Sequence, residues 1–416
     1  MSEALLLTNI GLLQTPVGSY KHGGSKQGEN LKLKNASILI KDGKIAEIYA
    51  DGKGVDQPEA RRINAGGRLA TPGLIDSHTH LVFGGWRENE IPLKLSGASY
   101  LDILTAGGGI YSTVRKTREA GFDELYHKSE ALLKEMTAQG VTACEIKSGY
   151  GLDLETEIKQ LRVIKTLSKN TPMDIVATYL GAHAVPESFK NRPDDYLDFI
   201  EEEVLPLIQS EQLAQYCDVF CEKAVFTAEQ SEKILRAARR FGLKCKIHTD
   251  EIECIGGTKV AAKLACETAE HLIVTQADGI EDLKRGGTIA VLLPQTSLYL
   301  NAQYARAREM IDHGVPVAVA SDFNPGSCPS SNLHLSMNLS YIAYRLKPEE
   351  ILSAVTINAA AAIGREKELG SIEVGKQADI VLWDAHNFDY VVYRLGANLC
   401  HSVIKSGKVV YEKEDL

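Results

Sequence analysis

Long apolar runs are missing from this chain. No stretch of about 18 consecutive apolar residues occurs in its 416 residues, so no membrane-crossing helix is expected. The opening MSEALLLTNIGLL has neither the basic start nor the small-residue cleavage site of a secretory leader, and a cytoplasmic protein is expected. Positive charge is also in short supply. Lys and Arg number 46 against 55 Asp and Glu, a formal net charge of -9, which argues against a nucleic-acid or other polyanionic partner. The eight cysteines never form the CxxC pairs of structural zinc sites, and most lie inside apolar runs, where a thiol packs as a small hydrophobe. Disulfides are not expected. Cys217 and Cys221 are close enough for half a metal site, but no second Cys/His pair is placed to complete it. Gly107, Gly108 and Gly109 stand without the rest of a phosphate-binding loop and read as a loop near the mouth of the fold.

What the chain has is apolar content, 44%, enough for a large core. The two ends differ in style from the middle. ASILIKDGKIAEIYA alternates around Asp42-Gly43, and HSVIKSGKVVYEK alternates around Ser406-Gly407; both predict hairpins. The Gly-, Ser- and Lys-rich segment from Gln14 to Asn30 reads as a surface loop.

In the middle, eight β-rich runs recur: RLATPGLIDSH, GVTACEIKSGYG, MDIVATYLGAH, YCDVFCEKAVF, LKCKIHTDE, ACETAEHLIV, GTIAVLLPQT and VPVAVASDF. Helical stretches separate them, such as FDELYHKSEALLKEMTAQG, ETEIKQLRVIKTLSKN and TAEQSEKILRAARRFG; the last opens with the capping-box pair Thr227 and Gln230 and is followed by Gly242. Such alternation fits a (β/α)8 barrel or an open doubly wound sheet. Polar residues close many of the runs, and in a barrel those ends converge on one mouth, which favours the barrel.

The closing residues are Asp76, His78 and His80; Lys147 and Tyr150; His183; Glu222 and Lys223; His248, Asp250 and Glu251; Glu270 and His271; Gln295; Asp322 and Asn324. In GLIDSHTH the two histidines are two apart, so both imidazoles point to one face of a strand. Alone, H-x-H is more often structural. A third histidine, His248, and a carboxylate, Asp322, at other strand ends make a divalent-metal set. Glu251, three residues past His248, is placed to carry a proton beside such an ion; the plain alternative is an acid favoured at a helix start. His271 could polarise a carbonyl or hold an oxyanion.

These stretches resemble the amidohydrolase superfamily over nearly the whole chain, from TPGLIDSHTH through His248 and His271 to SDFNPGSCP and the return segment GSIEVGKQADIVLWD. The resemblance implies a TIM-like (β/α)8 barrel at 71–364 beside a composite β-sandwich of both ends, 1–70 and 365–416. A narrower set, GGWRENE, EIKSGYGL, TYLGAHAVP, IHTDE, ETAEHL and SDFNPGSCP, resembles members that open a ring C–N amide bond. For them the implied substrate is 4-imidazolone-5-propanoate, hydrolysed to N-formimino-L-glutamate in histidine degradation. By the same resemblance His78, His80, His248 and Asp322 hold one divalent or trivalent ion, zinc or iron. Glu251 moves the proton, His271 assists at the reacting carbonyl, and Asp322, besides its place as ligand, can accept a hydrogen bond from the attacking water. Arg87 takes the propionate, Tyr150 and His183 face the ring, Asn324, Gly326 and Ser327 hold product atoms, and Tyr100 closes over the carboxylate side. Many superfamily members bridge two metals with a carboxylated lysine on the fourth strand. Here that region reads CEKAVF, with Lys223 nearby, and the narrower motifs imply a single ion; Lys147 reads as a structural or substrate-side lysine. A homodimer is the family expectation. The rival activity is an aminohydrolase of a purine- or pyrimidine-like ring, from which Arg87 discriminates, since a flat neutral base needs no cation.

Overall fold

The computed structural model describes residues 4–51, 57–97 and 108–414. Strands β1 (Ala4–Pro16), β2 (Asn30–Lys41), β3 (Lys44–Tyr49), β4 (Arg61–Asn64) and β5 (Leu69–Pro72) come first. The eight runs of the middle then form β6 (Leu74–Asp76), β7 (Val141–Lys147), β8 (Asp174–Ala182), β9 (Tyr216–Cys221), β10 (Lys244–Thr249), β11 (Thr268–His271), β12 (Ile289–Leu292) and β13 (Val317–Val319). They pair in parallel and in sequence order, β6 to β13, without the reversal of an open doubly wound sheet. Just past the first and last strands the backbone closes the ring: Asp322 N–H donates to His78 O at 3.1 Å, and His80 N–H to Phe323 O at 2.8 Å. The expected barrel is therefore present. Its strands lie between side-chain core and helices, and all seven residues of β7 are buried.

The helices follow their patterns. FDELYHKSEALLKEMT forms Phe122–Thr137, LETEIKQLRVIKTLSKN forms Leu154–Asn170, and AEQSEKILRAARR forms Ala228–Arg240. The last starts on the predicted capping box, Gln230 N–H to Thr227 Oγ1 at 3.2 Å and Thr227 N–H to Gln230 Oε1 at 3.0 Å.

The chain ends meet in a second sheet. With β14 (Ile380–Trp383), β15 (Cys400–Lys405) and β16 (Lys408–Glu412), its order is β16-β15-β14-β5-β1-β2-β3, with β4 on β1. Both predicted turns are two-residue hairpin loops. Asp42-Gly43 (φ +50° and +75°) joins Lys41 to Lys44, and Ser406-Gly407 (φ +47° and +74°) joins Lys405 to Lys408. One core cluster, which includes Ile10, Ile38, Ile40, Ile380 and Ile404, belongs to this sheet alone. The main core runs from the barrel into Leu69, Val381, Trp383 and Val403, so the two sheets share one apolar interior.

The Gln14–Asn30 segment is the surface loop expected of its composition only in part: Val17, Tyr20, Lys21 and Lys26 are exposed, but other residues anchor it. Gln14 to Pro16 extend β1, and Gln27 is wholly buried. Its amide donates to Val317 O and accepts from Val317 N–H, both at 3.0 Å, so this segment supplies hydrogen bonds to β13. Glycine and lysine around it hide one buried, fully used amide. Among the described residues no helix is long and apolar enough to cross a membrane.

Candidate active site and metal centre

Four polar side chains meet where the barrel closes. His78 Nε2 and His80 Nε2 lie 3.2 Å apart, and Asp322 Oδ1 lies 3.3 Å from the first and 3.5 Å from the second. These are close to the edges of a tetrahedron whose corners sit about 2.1 Å from a central ion, roughly 3.4 Å. Two facing imidazole nitrogens need a shared proton or cation. His248 packs its ring 4.7 Å from that of His78, and its Nε2 is buried with no hydrogen-bond partner, as is Asp322 Oδ1. His78, His248 and His271 also bring one ligand atom each to within 4.8 Å of one another. Three imidazoles and one carboxylate, all buried and with His248 Nε2 and Asp322 Oδ1 unpartnered, fit a borderline divalent ion such as zinc.

Carboxylates hold the imidazoles from behind. His248 Nδ1 is 2.9 Å from Asp218 Oδ2, and His78 Nδ1 is in close contact with Glu270 Oε2. A carboxylate on Nδ1 turns Nε2 outward, the arrangement of metal-ligating histidines. Asp218, Glu270 and Glu145 in turn surround Lys147, and Lys246 reaches Glu145 at 2.8 Å. Burial opposes the Lys147 charge, but the three carboxylates outweigh it and raise its pKa. Asp218 is likewise held below the usual carboxylate range: burial pushes it up, and His248 and Lys147 pull it down further.

Glu251 stands beside this cluster, its Oε2 3.7 Å from His271 Nε2 and its side chain 15% exposed. Burial raises its pKa to about 7, with His248 opposing. Burial lowers His271 to about 4, against the pull of Asp322, so its imidazole is neutral near pH 7. His271 and Asp322 both take positive φ, +73° and +58°, a strained backbone for residues with side chains. Asp322 is fixed through Oδ2, which accepts from Thr296 Oγ1 at 2.5 Å. Asp76 is not among the converging donors; it accepts from Ser321 and ties the first strand to the segment after the eighth.

Around the donors lie the other predicted residues. His183 stacks on His80 (5.1 Å, 17°), and Tyr150 packs against both. His183 Nδ1 is 3.1 Å from Gly149 O, which makes Nδ1 the protonated nitrogen and leaves Nε2 an acceptor. Arg87 forms a two-pronged pair with buried Glu90, Nε to Oε1 at 2.9 Å and Nη2 to Oε2 at 3.0 Å. A Cβ at Gly326 would lie 2.1 Å from Arg87 Nη1, so the glycine is what lets the guanidinium rest against this loop. Within the loop, Asn324 Oδ1 accepts from Gly326 N–H and Ser327 N–H, each at 2.8 Å. Tyr100 lies outside the described residues. Lys223 is on the surface, paired with Glu253 at 2.8 Å, and does not reach the donors; the fourth strand turns Asp218 inward instead. A cleft of about 530 Å³ beside the mouth is lined by Tyr111, Val185, Lys190 and Glu222, none of them among the donors.

Comparison with known proteins agrees with this geometry. A model of the amidohydrolase family matches residues 69–410. The imidazolonepropionase of Alkaliphilus metalliredigens is 46% identical over 424 aligned positions, covering 99% of each chain. That of Bacillus velezensis is 49% identical, covering 98% of this chain and 97% of the relative. This chain belongs to the amidohydrolase family, among the imidazolonepropionases. Its likeness to solved amidohydrolase-like folds is one of architecture. Guanine deaminase of E. coli superposes with a TM-score of 0.75 at 14% identity over the whole of both chains.

For this imidazolonepropionase-type chain, sequence reasoning missed Glu90, Glu145, Glu157, Asp218 and Lys246. Glu157 accepts from the backbone N–H of Gly149, Gly151 and Leu152 and so shapes the loop that carries Tyr150. The one available signal was charge inside β-rich runs, as in ACEIK, YCDVF and KCKIH, where a barrel interior has no water to solvate it.

Proposed function

We propose that this chain hydrolyses the ring C–N amide bond of 4-imidazolone-5-propanoate to give N-formimino-L-glutamate, a step of histidine degradation. The observation that carries this is the 46–49% identity to imidazolonepropionases over 92–99% of the chain. The donor set beside Glu251 supports it, and so does a cation, Arg87, within reach of a carboxylate tail. The catalytic barrel is assigned to 71–364 and the composite sandwich to 1–70 and 365–416.

His78, His80, His248 and Asp322 would hold one ion, zinc or iron. When bound, such an ion supplies Lewis acidity, which lowers the pKa of a neighbouring water from about 15.7 toward 7. The protein's own groups do the rest. Glu251, with a pKa near neutrality, takes a proton from the attacking water and passes it to the departing ring nitrogen. One O–C bond forms, one C–N bond breaks, and the proton ends on the nitrogen. Neutral His271 donates to the carbonyl oxygen as charge develops there. Asp322 orients the attacking water. Tyr150 and His183 flank the ring, and His183 Nε2 accepts from a ring N–H. Arg87, steadied by Glu90, pairs with the propionate. Asn324, Gly326 and Ser327 face the product. A cytoplasmic homodimer is the assigned setting.

The test is turnover of freshly prepared 4-imidazolone-5-propanoate by purified protein. Release of formiminoglutamate supports the reading. Deamination of guanine or cytosine, with no ring opening of the imidazolone, replaces it with the aminohydrolase activity.

A further inference from the structure

Lys128 stands on the helix Phe122–Thr137 and reaches the loop that carries Arg87. Its Nζ donates to Phe83 O at 3.1 Å and to Gly85 O at 3.0 Å. The same nitrogen lies 3.6 Å from the centroid of the Phe83 ring and 4.7 Å from that of Trp86, two rings that meet edge to face. A second ammonium, Lys116 on the helix Gly109–Glu119, donates to Trp86 O at 2.7 Å. Three carbonyls between residues 83 and 86 thus accept from lysine side chains, and no backbone N–H of the described residues is bonded to any of them. Arg87 follows directly. Glu90 grips its guanidinium, but the lysines set the backbone from which it extends. We propose that Lys128 is a positioning residue for substrate binding: its ammonium, held against two aromatic rings, fixes the loop from which Arg87 reaches the substrate's carboxylate.

The proposal rests on the reading of Arg87 as partner of the propionate. The pinned segment adjoins the rest of that site. Phe83 packs on Tyr150 at 6.5 Å and on Phe323 at 6.1 Å, and Phe323 begins the loop against which Arg87 rests. Two carbonyl acceptors and two ring faces favour a charged donor. A neutral amine there makes hydrogen bonds of about half the strength and loses the attraction of the rings. Burial draws the Lys128 pKa down to about 8; Glu124 on its own helix and Glu88 in the loop oppose the fall, and Lys116 adds to it. Lys128 is therefore charged below about pH 8 and gives up its proton above it. A carboxylate and an arginine keep their charges through that range, so the support titrates while the ion pair it serves does not.

The test measures KM and kcat for 4-imidazolone-5-propanoate from about pH 7 to 9.5 with full-length, metal-loaded enzyme. Wild-type KM is expected to rise roughly tenfold, with a midpoint near pH 8 and kcat within about twofold. Lys128→Met should show the raised KM at every pH. Lys128→Arg, charged throughout, should restore a low KM that stays flat. Arg87→Ala/Lys128→Met should match Arg87→Ala, because the lysine acts through the arginine. A wild-type KM profile in Lys128→Met overturns the proposal. So does a KM increase of equal size with and without Arg87, which a merely structural lysine would give. If Lys128→Met does not fold, wild type against Lys128→Arg decides: an alkaline rise in the first that is absent from the second supports the proposal, and the same profile in both overturns it. Arg87→Ala alone separates the two layers. An unchanged KM there fails the propionate reading and the proposal with it, whereas a raised KM beside a silent Lys128→Met fails the proposal only.

Discussion

At the scale of single residues, Glu251 and Arg87 make opposite demands that kinetics can separate. Glu251 must be ionised to accept a proton. Its raised pKa, about 7, means that kcat/KM falls as pH drops through that region. An acid limb near the ordinary glutamate value of about 4.3 would contradict the assignment. Glu251→Gln is expected to lower kcat by about 10²–10⁴-fold with metal content unchanged. Arg87→Ala should act on KM, by roughly 10–100-fold for a charged hydrogen-bonded contact of about 1.5–3 kcal/mol. Glu90→Gln should raise KM in the same direction, because it frees the guanidinium that Glu90 now grips with both oxygens. An unchanged KM in Arg87→Ala removes the propionate assignment. His78 and His80 were legible because H-x-H at a strand end has a fixed geometry. Glu90 was not, because in WRENE it looks like any surface acid until the fold buries it. Nor were the partners of Lys147, since the sequence separates Glu145 from Asp218 and Glu270, and only the ring of strands unites them.

At the scale of elements, most of the fold could be read in advance. Two-residue hairpins, a capping box and eight apolar runs are local signals, and local chemistry enforces them. Thr227→Ala removes one half of a reciprocal cap and should cost about 0.5–2 kcal/mol, seen as a lower melting temperature with kcat unchanged. The Gln14–Asn30 segment resisted reading because its structural role is a pair of long-range bonds, between Gln27 and Val317, that no local pattern announces. Gln27→Ala strands the backbone N–H of Val317, whose C=O keeps its bond from the Asn358 amide at 2.8 Å, and should destabilise by about 1–3 kcal/mol. A melting temperature equal to wild type would mean that the segment is only draped on the barrel.

At the scale of the whole molecule, the terminal sheet and the barrel share one apolar core through Trp383, whose indole N–H also donates to Thr71 Oγ1 at 2.8 Å. The two should therefore unfold together. Trp383→Ala should cost about 3–5 kcal/mol and lower a single transition, rather than split it in two. The metal enters the same balance: an ion bound only by the folded state adds stability, so chelation should lower the melting temperature as well as abolish turnover. The charge network behind the ligands belongs to this scale too, since its three carboxylates and two lysines come from four strands.

The most direct test of the central claim measures turnover of 4-imidazolone-5-propanoate and metal content on one sample of purified protein. Ring opening to formiminoglutamate with about one ion per chain is the predicted result. A fully metallated protein that leaves the imidazolone ring intact would contradict it.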